Sequence, residues 1–303
     1  MFIKSYSDIQ NSLDEFCQWA SITQGRVRDY HELLTQLHVN HARSREALLS
    51  TVDLMDILDI YECWKINETD FPGIRDKIRC VIERGPILSD DENTNLSNNR
   101  PRNDLFVYLF AGKLIQAGIH ISSIDGIPRN REPLTSHGDI ISKFQDEEIL
   151  IECKRPQKLT SINSATREAR KQIQRTERKG CIALDCSKAL RPRERVLDFS
   201  NDENAHNSLL EQMEGEVIPV VRSHLRENIL GAFLMASVPG MKNVAESPFL
   251  SQMGTPIKHY TPFRVSSILI ASNEQLGEQN HYVKWVNERL KSCSGTFGFV
   301  ERP

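Results

Sequence analysis

The sequence predicts an α/β fold: a sheet-centred domain preceded by an all-helical N-terminal region. Three observations carry this expectation. Apolar residues recur at helical spacing through residues 7–84, with no strand-like alternation. A polar stretch, 85–102, with Pro86 and Pro101 as breakers, separates that region from the rest. Beyond it the texture changes to helix, three strands, helix, strand, an order that layers helices on a central sheet. The expected organisation is a helical region at 1–84, a polar linker or loop at 85–102, and an α/β domain at 103–303 with C-terminal strand and helix extensions.

Each element follows from its own pattern. Ser7 or Asp8 caps a first helix carrying Ile9, Leu13 and Phe16. A second runs from about Val27 to Val39, and a third from about Ser44 to Ile66 with Leu48, Val52, Met55, Leu58 and Trp64. Pro72-Gly73 breaks the third, and a short helix follows to about Glu83. Asn103 or Asp104 caps a helix to about Ala117, with Phe106, Leu109, Phe110 and Leu114 on its buried side and Gly118 just past its end. Ile119 to Ile124 reads as a strand, Asp125-Gly126 and Pro128 as a turn, and His137–Phe144 and Glu148–Lys154 as two more strands. A basic helix with Ala165, Ala169 and Ile173 on one face spans about Asn163 to Arg178. The short apolar run Cys181 to Cys186 is the next strand. Ser208–Glu227 suggests a helix, Ile229–Val238 and Arg264–Ser272 strands, and His281–Lys291 a final helix.

The chain has 303 residues, 39% hydrophobic and 26% charged, enough to bury a core without disulfides or a structural metal. No apolar run approaches the roughly 20 residues that span a bilayer, and Met1–Ser5 lacks the opening of a secretory signal. No membrane partner is therefore expected. Seven cysteines without a C-x-x-C pair suggest neither a zinc ribbon nor a redox pair. They read as reduced, buried small hydrophobes in a cytoplasmic protein. The formal charge is −3, but Lys154 to Arg195 holds 13 Lys/Arg against 4 Asp/Glu, a local +9, so the remainder carries −12. Such a concentration suits a surface that meets a polyanion; a solvated helix face balanced by its neighbours in the fold is the plainer alternative.

The chemistry-bearing feature is Asp139, followed thirteen residues later by Glu152-Cys153-Lys154. Strand side chains alternate, so Glu152 and Lys154 share a face while Cys153 points into the core. If the two strands pair, Asp139 lies beside Glu152. Two adjacent carboxylates repel, and a hard divalent cation with water completing its shell removes that cost, which suits Mg2+ or Mn2+. Lys154 is then positioned to assist a bound water or to stabilise charge on a phosphoryl group. The plainer reading is an ion pair of Glu152 with Lys154 or Arg155 at a frayed strand end.

The segment from about Asn103 to Ser187 resembles the core of the PD-(D/E)xK nuclease superfamily, the restriction-endonuclease-like fold. The resemblance rests on the order αβββαβ and on Asp139, Glu152 and Lys154, which match the superfamily's motif. It implies a mixed central sheet flanked by helices. It also implies that Asp139, Glu152 and the main-chain carbonyl of Cys153 hold the metal while Lys154 assists the attacking water. Gly138 stands where the motif often has Pro. No Glu lies on the first helix, where Asp104 is the candidate substitute. Gln172 matches a Gln found on the second helix of exonuclease-like members, but Thr176 stands where their Tyr would be.

The basic helix supports a nucleic-acid partner, with Arg167, Arg170, Lys171 and Arg175, together with Arg155, as candidate phosphate contacts, and Arg178, Arg191, Arg193 and Arg195 extending the patch. His31, His38 and His41 could in principle share part of a helix face as zinc ligands, but a solvated helix surface is the stronger reading. There is no G-x-S-x-G elbow and no G-x-x-x-x-G-K loop. The expected function is a Mg2+-dependent nuclease acting on DNA, in prokaryotic defence against foreign DNA or as the cutting subunit of an assembly. The acidic N-terminal region, about −6 over the first hundred residues, would serve a protein partner or self-association. The alternative is a nuclease-like fold without catalysis that binds nucleic acid or protein.

Overall fold

The structure is a computed structural model that describes residues 6–40, 45–86, 91–131, 138–190, 197–199, 202–244 and 259–292. Its frame is a mixed eight-stranded sheet with helices on both faces. The N-terminal region is four helices: α1 (Tyr6–Ala20), α2 (Arg26–Asn40), α3 (Arg45–Asn67) and α4 (Ile74–Ile82). Gly25, between α1 and α2, has φ +88°, and a Cβ there would meet the Glu83 carbonyl oxygen at 2.6 Å. Only glycine both adopts that conformation without strain and allows the approach.

Helix α5 (Arg100–Gln116) follows, then strands β1 (Ile121–Ile124) and β2 (Ile127–Pro128). Asp125 and Gly126 join these two strands, both at positive φ, the two-residue turn that matches strand twist. β3 (Ile140–Phe144), β4 (Glu147–Lys154), α6 (Ile162–Arg175) and β5 (Gly180–Asp185) complete the segment. The sheet order is β2-β1-β3-β4-β5-β7-β6, with β8 on the other side of β7. β3 lies between β1 and β4 and runs antiparallel to both, and β5 runs parallel to β4 across the α6 crossover.

The C-terminal elements are β6 (Leu197–Phe199), α7 (Asp202–Gln212), α8 (Ile218–Arg222), β7 (Ile229–Val244), β8 (His259–Ser272) and α9 (His281–Ser292). β7 and β8 pair over fourteen positions, from Gly231↔Ser272 to Val244↔His259. The single helix expected over 208–227 is instead three pieces, because a π-helical segment, Met213–Val217, precedes Pro219 in the first turn of α8. Proline has no N–H to continue the ladder. β6, too short to show periodicity, was not expected from sequence.

One continuous apolar cluster joins Leu13, Phe16, Tyr30, Ile57 and Trp64 of the N-terminal helices to α5, to Ile140, Ile151 and Cys153 of the sheet, and to Val283 and Val286 of α9. α3 and α5 cross closely: a Cβ on Gly112 would lie 3.0 Å from Cys63 Sγ, and the Cys63 thiol donates to the Gly112 carbonyl at 3.2 Å. α5 lies between α3 and the sheet, so residues 105–114 are all buried rather than one face of them. The opposite sheet face carries a second cluster, with Leu150, Ile182 and Leu184 against Ile162, Ala169 and Ile173 of α6 and against Leu209, Met213 and Val221. The buried ridge of α6 is Ile162, Thr166, Ala169 and Ile173; Ala165 is only half-buried. Thr166 fits inside because its hydroxyl donates back to the Ile162 carbonyl at 2.8 Å. Six cysteines in the described residues carry free thiols. No helix among the described residues is long and apolar enough to cross a membrane.

Candidate active site

Antiparallel pairing fixes the geometry of the site. Ile140 is opposite Ile151, so the next position outward places Asp139 across from Glu152, and side chains that face one another across a ladder lie on the same side of the sheet. The Cys153 backbone N–H donates to Asp139 Oδ2 at 2.8 Å, and the Asp125 N–H donates to the Asp139 carbonyl oxygen at 2.8 Å. The charge of the Asp139 carboxylate acts directly on Glu152. Lys154 Nζ stands 3.6 Å from Glu152 Oε2. Asp139, Glu152 and Lys154 are therefore brought together on one face, whereas the Cys153 side chain is buried on the other. Gly138 makes room for this: a Cβ there would run into the Leu150 side chain and lie 3.5 Å from Glu152 Oε1.

Electrostatics reflects the crowding. Burial, and then the charge of Asp139, push Glu152 up to about 7 against the opposing pull of Lys154. Asp139 is also raised, chiefly by burial, with the Cys153 N–H and Lys154 working the other way. Asp104, at the first turns of α5, is raised by partial burial and by the charges of Asp125 and Asp139. Asp125 was not among the sequence candidates. It accepts from Tyr108 Oη at 2.9 Å and from Lys77 Nζ at 3.0 Å. Its turn was legible as Asp-Gly, but nothing in the pattern said which way its side chain would point.

Asp104 and Asp125 lie within electrostatic range of Asp139, and Lys154 stands beside Glu152. The Asp139–Glu152 pair by itself offers oxygen ligands of the kind a hard divalent cation takes, with waters filling the rest of its shell. Among the described residues, no three His, Cys, Asp or Glu side chains converge into a metal cage. A cation here would be held by Asp139 and Glu152 with water.

The basic candidates separate into two kinds. Arg167, Lys171 and Arg175 are exposed on α6, and Arg170 is half-buried with an unpartnered Nε. Arg155 is committed elsewhere: its side chain is 4% exposed and pairs with Glu92 at 2.7 Å and Asp185 at 3.0 Å. Strand alternation turns it away from Lys154, so it is not an available phosphate contact on this face. Arg178 is paired with Glu148. Gln172 lies in the third turn of α6, its Oε1 buried without a partner. His31 makes local contacts with Gln10 and Asp14. The side chains of His38 and His41, and Arg191, Arg193 and Arg195, lie outside the described residues.

Comparison of the chain with protein-family models, curated proteins and solved structures finds no match to any of them.

Proposed function

We propose that this chain is a metal-dependent nuclease of the restriction-endonuclease-like type that hydrolyses phosphodiester bonds, with DNA as its substrate. One observation carries the reading: Asp139, Glu152 and Lys154 share one face at the outer end of the β3–β4 pair. Leu150, two residues before Glu152 on that face, packs against Ile162, Ala169 and Ile173, so α6 and its exposed cations stand on the same side of the sheet.

In this reading Mg2+ or Mn2+, when bound, lowers the pKa of water and offsets charge on the phosphoryl oxygens. The protein's own groups do the rest. Asp139 and Glu152, with the Cys153 carbonyl, form the oxygen side of the pocket. The Cys153 N–H fixes the Asp139 carboxylate in place. Lys154 orients the attacking water and stabilises the charge that accumulates on phosphate. Arg167, Lys171 and Arg175 hold the backbone of the nucleic acid. A nuclease of this kind suits prokaryotic defence against foreign DNA in the cytoplasm, with the acidic helical region contacting a protein partner or a second copy.

The test is cleavage of plasmid, linear duplex, single-stranded DNA and RNA with Mg2+, Mn2+ or EDTA. Metal-dependent cutting lost in Glu152→Ala and Lys154→Ala supports the reading. Salt-sensitive retention of nucleic acid without cutting would leave a binding module instead.

A further inference from the structure

One ridge of α6 faces the connection between α8 and β7. Asn163, Arg167, Arg170 and Gln174 follow one another at steps of four, three and four, so they line up along the helix. Both ends of the ridge are tied to that connection. His224 Nε2 donates to Asn163 Oδ1 at 2.7 Å, and Gln174 Nε2 donates to Glu227 Oε2 at 2.8 Å. Arg167 and Arg170 lie on the helix between the two ties, and Arg226 belongs to the stretch held against it. This corner is on the side of the sheet that carries Asp139, Glu152 and Lys154, because α6 packs on that face.

Two buried polar atoms in the corner are vacant. His224 is 8% exposed, and its Nδ1 has no hydrogen-bond partner. With an amide oxygen beside it, Nε2 carries the ring proton, so Nδ1 is a bare lone pair. The Nε of Arg170, a donor, is buried without an acceptor. Burial, and then the charges of Arg170, Arg167 and Arg226, hold the His224 imidazole below the ordinary histidine range. Arg178, just past α6, is paired with Glu148, and Arg222, at the end of α8, with Glu274. Among the described residues, Arg167, Arg170 and Arg226 have no such carboxylate. A bridging water would fill the two vacant atoms and leave the three positive charges as they are. An anion answers both.

We propose that this corner, formed by Arg167, Arg170, His224 and Arg226, holds a backbone phosphate of the nucleic-acid strand beside the cleavage site. A phosphate oxygen accepts from Arg170 Nε, and the exposed guanidiniums of Arg167 and Arg226 offset the phosphate charge. His224 takes up a proton from solvent as the phosphate enters, because an anion now stands beside a ring that otherwise meets only cations. Its Nδ1–H then donates to a second phosphate oxygen, while Nε2 keeps its bond to Asn163. Affinity consequently rises as pH falls through the neutral range. This deepens the nuclease reading and rests on it for the identity of the strand.

The experiment uses the full chain in EDTA, so that binding is read without cutting. Anisotropy of a labelled DNA duplex gives affinities at about pH 8 and about pH 6, on either side of histidine titration. The parent is expected to match His224→Gln at the higher pH and to bind about fivefold or more tighter at the lower. Calorimetry in two buffers of different ionisation enthalpy is expected to show proton uptake on binding that is larger in the parent than in His224→Gln. Arg226→Ala, an exposed change, is expected to weaken binding about fivefold and to reduce the salt slope by about one. Arg222→Ala removes an equal charge that is already paired with Glu274, and is expected to change affinity less than about twofold. Equal pH dependence in the parent and His224→Gln, or Arg226→Ala binding like the parent, overturns the proposal and leaves a bridging water at the two vacant atoms. Inorganic phosphate bound with the same proton uptake while DNA is not bound assigns the corner to the free ion and overturns the strand. If His224→Gln does not fold, the affinities of Arg226→Ala and Arg222→Ala decide. A protein that shows these responses but never cuts with Mg2+ sinks the nuclease reading alone. One that cuts without them sinks the corner alone.

Discussion

The backbone N–H of Cys153 donates to Asp139 Oδ2 at 2.8 Å, so the middle residue of the Glu-Cys-Lys triplet holds the carboxylate of the neighbouring strand. The contact places one Asp139 oxygen against backbone and holds its charge beside Glu152. Burial and mutual charge strain a pair built this way, and a bound cation would relieve it.

That strain makes stability and activity move in opposite directions. Glu152→Gln removes one buried negative charge beside Asp139. Without metal it is expected to melt at or above the parent protein, while metal-dependent cleavage falls by about 100-fold or more. Mg2+ or Mn2+ is expected to raise the melting temperature of the parent and not of Glu152→Gln. Calorimetry with and without EDTA measures both; an equal metal response in the two proteins contradicts the site.

Asp125 is positioned rather than free. The Tyr108 hydroxyl and Lys77 hold its carboxylate, and its own N–H holds the Asp139 carbonyl. Tyr108→Phe should therefore lower cleavage about tenfold, the usual scale for loss of an outer-shell hydrogen bond. Circular dichroism should be unchanged, because the ring remains to fill the core.

The two classes of arginine differ in what they do. Arg167→Ala and Lys171→Ala are surface changes that should leave melting nearly unchanged and each reduce the salt slope of DNA binding by about one. Arg155→Ala removes one cation from buried Glu92 and the charged partner from Asp185, and should cost about 3–5 kcal/mol of stability. Urea denaturation and salt-dependent anisotropy, run side by side, distinguish the two effects.

Asp56 and Asp59 of α3 both face Arg264, at 2.6 and 2.7 Å. Burial pushes Asp56 up to about 6 despite Arg264, while Arg264 and Lys113 together outweigh burial at Asp59 and hold it down to about 2. The signs are opposite. The folded state binds the Asp56 proton more tightly than the unfolded state, so stability falls as pH rises from about 4 to 6. The Asp59 contribution is present above about pH 4 and is lost as pH falls toward 2. Asp56→Asn should therefore gain relative to the parent between pH 5 and pH 8, by on the order of 1–3 kcal/mol. Asp59→Asn should be strongly destabilised at pH 7, less so near pH 3. Parallel pH trends for both variants would refute the assignment.

Gly25 tests the connection between α1 and α2. Its φ of +88° and the Glu83 carbonyl at 2.6 Å from a would-be Cβ predict that Gly25→Ala costs about 1–3 kcal/mol. Equilibrium unfolding reads the loss directly.

Local pattern alone determined much of this protein. Helical periodicity located α1 to α5, and Asp-Gly located the β1–β2 turn. The alternation of β4 placed Glu152 and Lys154 on one face with Cys153 on the other. These properties depend on residues near one another in the chain, where 3.6- and 2-residue repeats are directly visible. Tertiary structure decided the rest. It seats the N-terminal helices on the same apolar cluster as the sheet, brings Asp125 and Asp104 to the carboxylate pair, and turns Arg155 inward onto Glu92. Glu92 and Arg155 are 63 residues apart. A charged side chain's partner at that separation is set by the packing of whole elements, and composition marks such residues only as solvent-loving. For the same reason a stretch that reads as a polar linker carries one of the most deeply buried carboxylates in the described structure.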